Sequence, residues 1–89
     1  MRQVILDGTK IQGKGTVHSY LKEQLNLQAY YGNNLDALWD ALSTHAEPLE
    51  IEFIHHEQMM AQLGNYGKAV LQVFEDAAEE NRKILFRLV

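Results

Sequence analysis

Apolar and polar residues alternate in short segments of the chain, and this period of two predicts β-strands. In the segment Arg2 to Asp7 the alternating apolar positions are Val4 and Leu6, and Leu49 to Phe53 alternates apolar residues with glutamates. A third apolar run with an aromatic residue, Lys83 to Val89, has the composition of a strand. We therefore expect three strands, spread along the length of the sequence.

Between the predicted strands, apolar residues recur every three or four positions, which indicates amphipathic helices. Asn, Thr and Gly residues at the edges of these segments are typical of caps and turns. The predicted helices run from a cap at Thr16 to about Asn26, from a cap at Asn33 or Asn34 to about Thr44, from Glu57 to Leu63, and from Lys68 to about Glu80.

The order of these elements is β-α-α-β-α-α-β, with helices between each pair of strands. Connections of this kind join parallel strands, because a tight hairpin can only join antiparallel ones. We therefore expect the α/β class, with a small three-stranded parallel sheet and four helices. A length of 89 residues suffices for one hydrophobic core, so we expect a single domain over residues 1–89.

The composition argues against several classes of protein. A net charge of −4 argues against a nucleic-acid or anionic-membrane surface, which would need clustered lysine and arginine. The sequence contains no apolar run that could span a bilayer and no signal-peptide pattern at its start. Cysteine is absent, which excludes disulfides, thiol catalysis and cysteine-bound zinc. Together these features favour a cytoplasmic protein.

One segment, Tyr30 to Asp40, concentrates candidate binding residues. It contains an aromatic pair, a glycine turn, and a predicted helix that carries Asp36, Asp40 and the only tryptophan, Trp39. It lies within the stretch Glu23 to Gly67, which has seven acidic residues and no lysine or arginine. This concentration of negative charge and aromatic surface predicts a basic partner.

Asp36 and Asp40 project from the same face of the predicted helix, because residues four apart lie one turn apart. Asp36, in the first turn, is favoured by the helix dipole, whereas Asp40 lies near the negative end, where an acid is unfavourable by roughly 0.3–1 kcal/mol. Two interpretations stay open from the residues alone. Both are solvated surface acids, or they form a ridge that accepts guanidinium or ammonium groups of a partner.

The neighbouring residues allow similar pairs of interpretations. Trp39 lies at the edge of the apolar stripe, so it belongs either to the core or to an interface. One ring of Tyr30 and Tyr31 is expected to fill the core and the other to be exposed as a contact residue. Gly32 is expected to supply a positive φ before the helix cap. Asp76 or Glu75, on the last helix, extends the acidic surface if the two helices are neighbours, whereas Glu79 and Glu80 are interpreted as a solvated face.

Catalytic and metal chemistry find little support in the sequence. The four histidines lack the spacing of a zinc site, and no phosphate-binding loop or nucleophile elbow is present. We therefore expect neither a metal nor a cofactor. A small enzyme that uses Asp36 and Asp40 as general acid and base is kept as a further hypothesis.

The segment Tyr30-Tyr31-Gly32-x-Asn34 to Asp40 resembles the signature of the barstar family of intracellular protein inhibitors of secreted microbial ribonucleases. The resemblance covers essentially the whole chain. Outlying matches are Val4-Ile5-x-Asp7-Gly8, Leu21-Lys22-x-x-Leu25 and Val70-Leu71-Gln72-Val73-Phe74. It implies a three-stranded parallel sheet with four helices, which agrees with the fold expected from the residues.

The resemblance also implies inhibition without catalysis, in a one-to-one complex with a barnase-like ribonuclease. The second helix and the loop before it would cover the nuclease active site, with Asp40 as the central mimic of an RNA phosphate and Asp36 as its companion. Tyr30 would stack on a nuclease histidine, and Asp76 would meet a basic residue at the rim. The implied nuclease-binding residues are Tyr30, Gly32, Asn34, Leu35, Asp36, Trp39, Asp40, Thr44, His45 and Asp76.

Three positions depart from the family pattern. His45 stands about where the family has a contacting tryptophan, in a loop one residue shorter. Ala41 replaces a cysteine, and Asp76 replaces a longer glutamate. The departures at His45 and Asp76 bear on the identity of the partner and the affinity for it, whereas the change at Ala41 is expected to affect only the core. An acidic protein-interaction domain of the same fold, with a partner that is not a nuclease, is therefore the alternative function.

Overall fold

The computed structural model describes residues 1–89 as a three-stranded parallel sheet with four helices, which confirms the α/β class predicted from the sequence. None of the helices combines the length and apolar character needed to cross a lipid bilayer. The elements in chain order are β1 (Arg2–Asp7), a short 3-10 turn (Gly8–Lys10), α1 (Lys14–Leu25), α2 (Leu35–Ser43), β2 (Leu49–Ile54), α3 (His56–Leu63), α4 (Asn65–Glu80) and β3 (Ile84–Leu88).

Strand β2 lies in the centre of the sheet and pairs in parallel with β1 on one side and β3 on the other. The register places Val4 opposite Ile51 and Ile51 opposite Phe86, so the apolar positions of the alternating strands share one face. Val4 and Ile51 join buried side chains of all four helices in one cluster of 19 hydrophobic residues, and the half-buried Phe86 packs against this cluster. Full burial of each large side chain contributes about 1.5–3 kcal/mol, so this cluster is the main source of stability.

The opposite face of the sheet is not covered by helices. It carries Ile5, which is 57% exposed, and a small polar cluster in which Arg87 lies beside Glu50 and Glu52. The side chain of Gln3 also donates to Glu50, with 2.7 Å between Nε2 and Oε1. The sheet therefore separates an apolar interior from a charged outer face, as the alternation of β2 predicts.

Two predicted helix starts are wrong. Helix α1 begins at Lys14, two residues before the predicted cap at Thr16. The carbonyl of Gly13 accepts from the backbone N–H groups of Thr16 and Val17, so Thr16 lies in the first turn. Its hydroxyl donates to the Gly13 carbonyl at 2.9 Å instead of capping the helix.

Helix α4 begins at Asn65 and not at Lys68, because only Gly64 separates it from α3. The φ of Gly64 is 58°, a left-handed value that glycine adopts without a steric penalty. The chain therefore turns from one helix into the next at a single residue, and the segment that the sequence predicts as a loop is helical.

Candidate functional site

Helix α2 separates its residues into a buried side and an exposed side. Leu38 and Leu42 are buried in the core, whereas Asp36 and Asp40 are exposed on the outer surface. Of the two predicted caps, Asn33 and Asn34, the structure uses Asn34, whose Oδ1 accepts the backbone N–H of Ala37 at 2.8 Å just before the helix begins at Leu35. This cap fixes the start of the helix, so the two carboxylates project from a defined direction.

The loop before α2 exposes one tyrosine and buries the next, as predicted. Tyr30 is 84% exposed, whereas Tyr31 belongs to the core. Asn34 ties the loop to the helix from both ends of its amide, because Nδ2 donates to the Gly32 carbonyl at 3.2 Å while Oδ1 caps the helix. Tyr30 therefore projects next to the helix from a loop that is held in place by the buried Tyr31 and the hydrogen bonds of Asn34.

The prediction that Gly32 supplies a positive φ is wrong. Asn33 has the left-handed backbone, with a φ of 56°. Asparagine tolerates this conformation better than most residues, since its short polar side chain can bond locally. Gly32 instead lies close to the helix, where an added Cβ would be 3.3 Å from the Cβ of Ala37. A side chain at position 32 would require the loop or Ala37 to shift by a few tenths of an ångström.

A groove of about 550 Å³ runs between this loop and α2. Its wall on the helix includes Ala37 and Ala41, whose small side chains leave the space open. The expectation that the change at Ala41 affects only the core is therefore wrong, because Ala41 is half-buried and lies in the wall of the groove. Half of the predicted binding residues line the groove together: Tyr30, Gly32, Asp40, Thr44 and His45.

The other side of α2 packs against α4, so the condition for Asp76 to extend the acidic surface is met. Trp39 is half-buried against the core and lines a depression of about 390 Å³ with Asp76, Glu79 and Glu80. The Gln72 Nε2 donates to the Asp76 carboxylate at 2.9 Å and so orients it. Glu79 and Glu80 are exposed, as expected of a solvated face, and their spacing of three and four residues from Asp76 places all three on one side of α4.

The remaining predicted residues lie in the first turn of α2. Asn34 and Asp36 are exposed, whereas Leu35 is half-buried against the core and exposes only part of its side chain. Asp36 and Asp40 form a ridge along the helix, with the groove on one flank and the Trp39 depression on the other, because Ala37 and Trp39 lie on opposite sides of that ridge. The structure thus brings all ten predicted residues to α2, its flanking loops and the adjoining part of α4.

The carboxylates of the ridge have no ion pair within the protein. Arg87 forms ion pairs with Glu50 and Glu52, and His56, which is charged only when protonated, lies 3.8 Å from Glu57. Four of the eight basic residues precede the acid-rich stretch and four follow it, and none of them neutralises Asp36 or Asp40. Two unneutralised acids one turn apart repel each other by a few tenths of a kcal/mol, so this arrangement does not serve the stability of the helix.

The loop is anchored to the interior through Tyr31. Its hydroxyl lies 2.6 Å from Nδ1 of His18 on α1, and Nε2 of His18 lies 2.6 Å from the hydroxyl of Tyr66 on α4. Burial raises the pKa of Tyr31 to about 12, and the nearby Tyr66 hydroxyl adds to the rise. Burial also raises the pKa of Tyr66 and lowers the pKa of His18, so all three groups stay neutral at pH 7. From the sequence, His18 was a candidate only for metal binding, so this contact was not predicted.

The other end of α2 is anchored by a residue that the sequence does not single out. The Asn81 Nδ2 donates to the carbonyls of Leu42 and His45, at 3.0 Å in each case. The Lys83 Nζ donates to the carbonyl of Ala46 at 2.8 Å. These bonds satisfy carbonyl groups at and just beyond the helix end that lack partners within α2, and they fix the segment that carries His45.

The chemistry available at this site is that of an acidic contact surface. No group of three or more His, Asp or Glu side chains is arranged to hold a metal ion. The exposed carboxylates offer acceptors for guanidinium and ammonium groups, and Tyr30 and Trp39 offer aromatic area beside them. This acidic surface is complementary in charge to a basic surface on a partner.

Comparison with known proteins places the chain in a family. Residues 1–89 match the model of the family described as "Barstar (barnase inhibitor)". The chain is also 40% identical over 81 residues to a protein of Bacillus subtilis (strain 168) named "Putative ribonuclease inhibitor YrdF", and the match covers 90% of this chain and 89% of that relative. With the predicted signature and fold both present, the chain belongs to the barstar family.

Proposed function

We propose that this protein is an intracellular inhibitor of a barnase-like ribonuclease, which it binds one-to-one through α2 and the loop before it. The observation that carries the proposal is the ridge of Asp36 and Asp40, which is exposed and has no ion pair although Glu50 and Glu52 have one. Membership of the family and the printed name of its Bacillus relative support a ribonuclease as the target.

The proposed mechanism is occupation of the RNA site. A ribonuclease must bind phosphate groups, so its active site is basic and accepts anions. Asp40 would take the place of the central phosphate and Asp36 that of its neighbour, each accepting charged hydrogen bonds from arginine or lysine. The inhibitor would then prevent RNA from binding in the active site, and it would contain no phosphodiester bond that the enzyme could cleave.

The surroundings of the ridge suit this role. Tyr30, exposed beside the ridge, would stack on a side chain of the enzyme, and the half-buried Trp39 and Leu35 would supply apolar contact at the edge of the site. Asp76, Glu79 and Glu80 would extend the negative potential toward the rim. An acidic surface facing a basic one accelerates encounter and makes association sensitive to salt.

The direct experiment is a titration of a barnase-like ribonuclease with this protein while RNA cleavage is measured. We expect cleavage to stop at one equivalent of inhibitor, and calorimetry to give the same stoichiometry. Cleavage that continues in a large excess of the protein, across several ribonucleases of this type, would contradict the proposal. An acidic interaction domain with a partner of another class would then be the better account of the same surface.

A further inference from the structure

His18 is the only buried polar residue of the protein, and 4% of its surface is exposed. Both of its ring nitrogens are bonded, to Tyr31 and to Tyr66, at 2.6 Å in each case. The three residues belong to three separate parts of the fold: α1, the loop before α2, and α4. A polar contact inside an apolar core contributes little net stability, so its position raises the question of what else it does.

A neutral histidine has one donor nitrogen and one acceptor nitrogen, so one tyrosine hydroxyl donates to His18 and the other accepts from it. The Tyr31 hydroxyl also lies 3.5 Å from the carbonyl of Asn34, which accepts only. This long contact favours the direction from Tyr66 to His18, from His18 to Tyr31, and from Tyr31 to Asn34. The chain of hydrogen bonds therefore ends at the residue that caps α2.

The charged groups near this chain are few. Lys14 of α1 lies over the ring of Tyr66, with its Nζ 4.9 Å from the ring centroid, and no carboxylate forms an ion pair with His18. A protonated His18 would therefore have no carboxylate partner. Protonation would turn both nitrogens into donors, and the tyrosine that donates to the ring in the neutral state would have to turn its hydroxyl away.

We propose that the chain Tyr66–His18–Tyr31 holds the loop before α2 in the conformation that binds the partner, so that His18 and Tyr66 are positioning residues although neither belongs to the binding surface. Tyr31 is adjacent to the exposed Tyr30, and the backbone N–H of Tyr31 donates to the Gln28 carbonyl at 2.9 Å. Fixing the Tyr31 ring therefore fixes the turn from which Tyr30 projects. A loop that is ordered before binding loses less conformational freedom in the complex.

The decisive comparison is between Tyr66→Phe and Tyr20→Phe. The hydrogen bond of the Tyr66 hydroxyl goes to His18 and not to the loop itself, so removing this hydroxyl tests the chain of hydrogen bonds. Tyr20 is half-buried on α1, and its hydroxyl accepts the backbone N–H of Asp7 at 2.8 Å, so Tyr20→Phe removes a comparable hydrogen bond elsewhere. Amide hydrogen exchange is measured at Tyr31 and Ala37, with Thr44 at the other end of α2 as the internal reference.

We expect Tyr66→Phe to accelerate exchange at Tyr31 and Ala37 about fivefold relative to Thr44, the factor that corresponds to one typical hydrogen bond. Tyr20→Phe should change all three amides together. Equal patterns in the two variants would overturn the proposal. This measurement needs no partner, so it decides whether the loop is positioned even if the wild-type protein inhibits no ribonuclease.

A second pair of variants separates hydrogen bonding from packing at His18. His18→Gln keeps one donor and one acceptor, whereas His18→Leu fills the space without either. We expect protection of the loop amides in His18→Gln to stay within about twofold of wild type, and the loss in His18→Leu to reach about fivefold. If His18→Leu protects the loop as well as His18→Gln does, packing alone positions it and the proposal is wrong.

The functional consequence rests on the proposed function. In a protein that inhibits a ribonuclease, Tyr66→Phe should raise the Kd about fivefold at conditions where both variants are fully folded, and Tyr20→Phe should leave it unchanged. Faster amide exchange in the loop with an unaltered Kd would show that the order of this loop does not matter for binding. That result would also overturn the proposal.

Discussion

Two pairs of carboxylates on this protein have opposite surroundings. Asp36 and Asp40 are exposed on α2 without an ion pair, whereas Glu50 and Glu52 on β2 are half-buried beside Arg87. The strand register places Arg87 opposite Glu52, and its Nη2 lies 3.5 Å from a carboxylate oxygen of Glu50. An acid paired within the protein contributes to its fold, whereas an exposed acid without an ion pair can bind a basic group of another molecule. Negative composition alone therefore does not locate the binding surface.

The largest expected contrast is in affinity. We expect Asp40→Ala to weaken binding of the ribonuclease by roughly 2–5 kcal/mol, or about 30-fold to several thousand-fold in Kd, because it leaves basic groups of the enzyme buried without a partner. Glu52→Ala removes the same charge from the other pair and serves as the control. Its Kd, measured by inhibition of RNA cleavage, should stay within about threefold of wild type. Equal effects would remove the distinction between the two pairs.

A smaller contrast is expected in the salt dependence of association. Between about 50 mM and 500 mM salt the association rate of the wild-type protein should fall about tenfold, because screening weakens the attraction between an acidic and a basic surface. Stopped-flow measurements should give a shallower dependence for Asp40→Ala than for Glu52→Ala. Identical slopes would mean that total charge steers the encounter and that its placement on α2 is irrelevant.

Acidification should lower the stability of the protein through His18, the buried residue that supports the loop before α2. Burial lowers the pKa of His18 below its usual 6.5 in the folded state. Above pH 6.5 both states are neutral and the full stability is present. As the pH falls below 6.5 the unfolded chain takes up a proton first, so the free energy of unfolding falls.

Urea unfolding at pH 7.5 and pH 5.5 measures this loss. His18→Gln has no such proton, so its stability should fall less over the same interval. The other histidines are common to both proteins, and their contribution cancels in the comparison. If His18→Gln lost as much stability as wild type, the burial of His18 would not be the cause.

The smallest contrast is in stability, and it has the opposite sign for the two pairs. Asp40→Asn should raise the free energy of unfolding by about 0.3–1 kcal/mol, because it removes an acid from the C-terminal half of a helix and relieves repulsion with Asp36. Glu52→Gln should lower it by up to about 1 kcal/mol, because it weakens the contact with Arg87. Thermal unfolding of the two variants tests whether α2 gives up stability for binding.

The fold could be predicted from the sequence because the patterns that specify its strands and helices lie within short segments. The alternation of β2 predicts which of its residues are buried, and the four-residue spacing of Val17, Leu21 and Leu25 predicts the inner side of α1. Asn34 has the side chain that a helix cap needs, and the structure uses it as one. Local errors arose where two residues compete for one role, as with the positive φ assigned to Gly32 and adopted by Asn33.

The hydrogen bonds that hold the site in place could not be predicted from the sequence, because they join residues that are distant along the chain. His18 and Tyr66 are 48 residues apart, and the Asn81 amide reaches the carbonyl of Leu42 across 39 residues. No periodic pattern encodes such contacts. The pairing of Arg87 with Glu50 and Glu52 likewise depends on strand register, which the sequence leaves open until β2 and β3 are known to be neighbours.

Helix α2 has nine residues, and much of what stabilises it comes from elsewhere in the chain. A helix of this length is mostly unfolded as an isolated peptide in water, because too few turns follow the unfavourable nucleation step. An excised fragment that contains every contact residue of α2 and its loops would therefore be a poor inhibitor. The smallest active form of this surface is the folded protein, which limits how far it can be miniaturised without a covalent staple or a new scaffold.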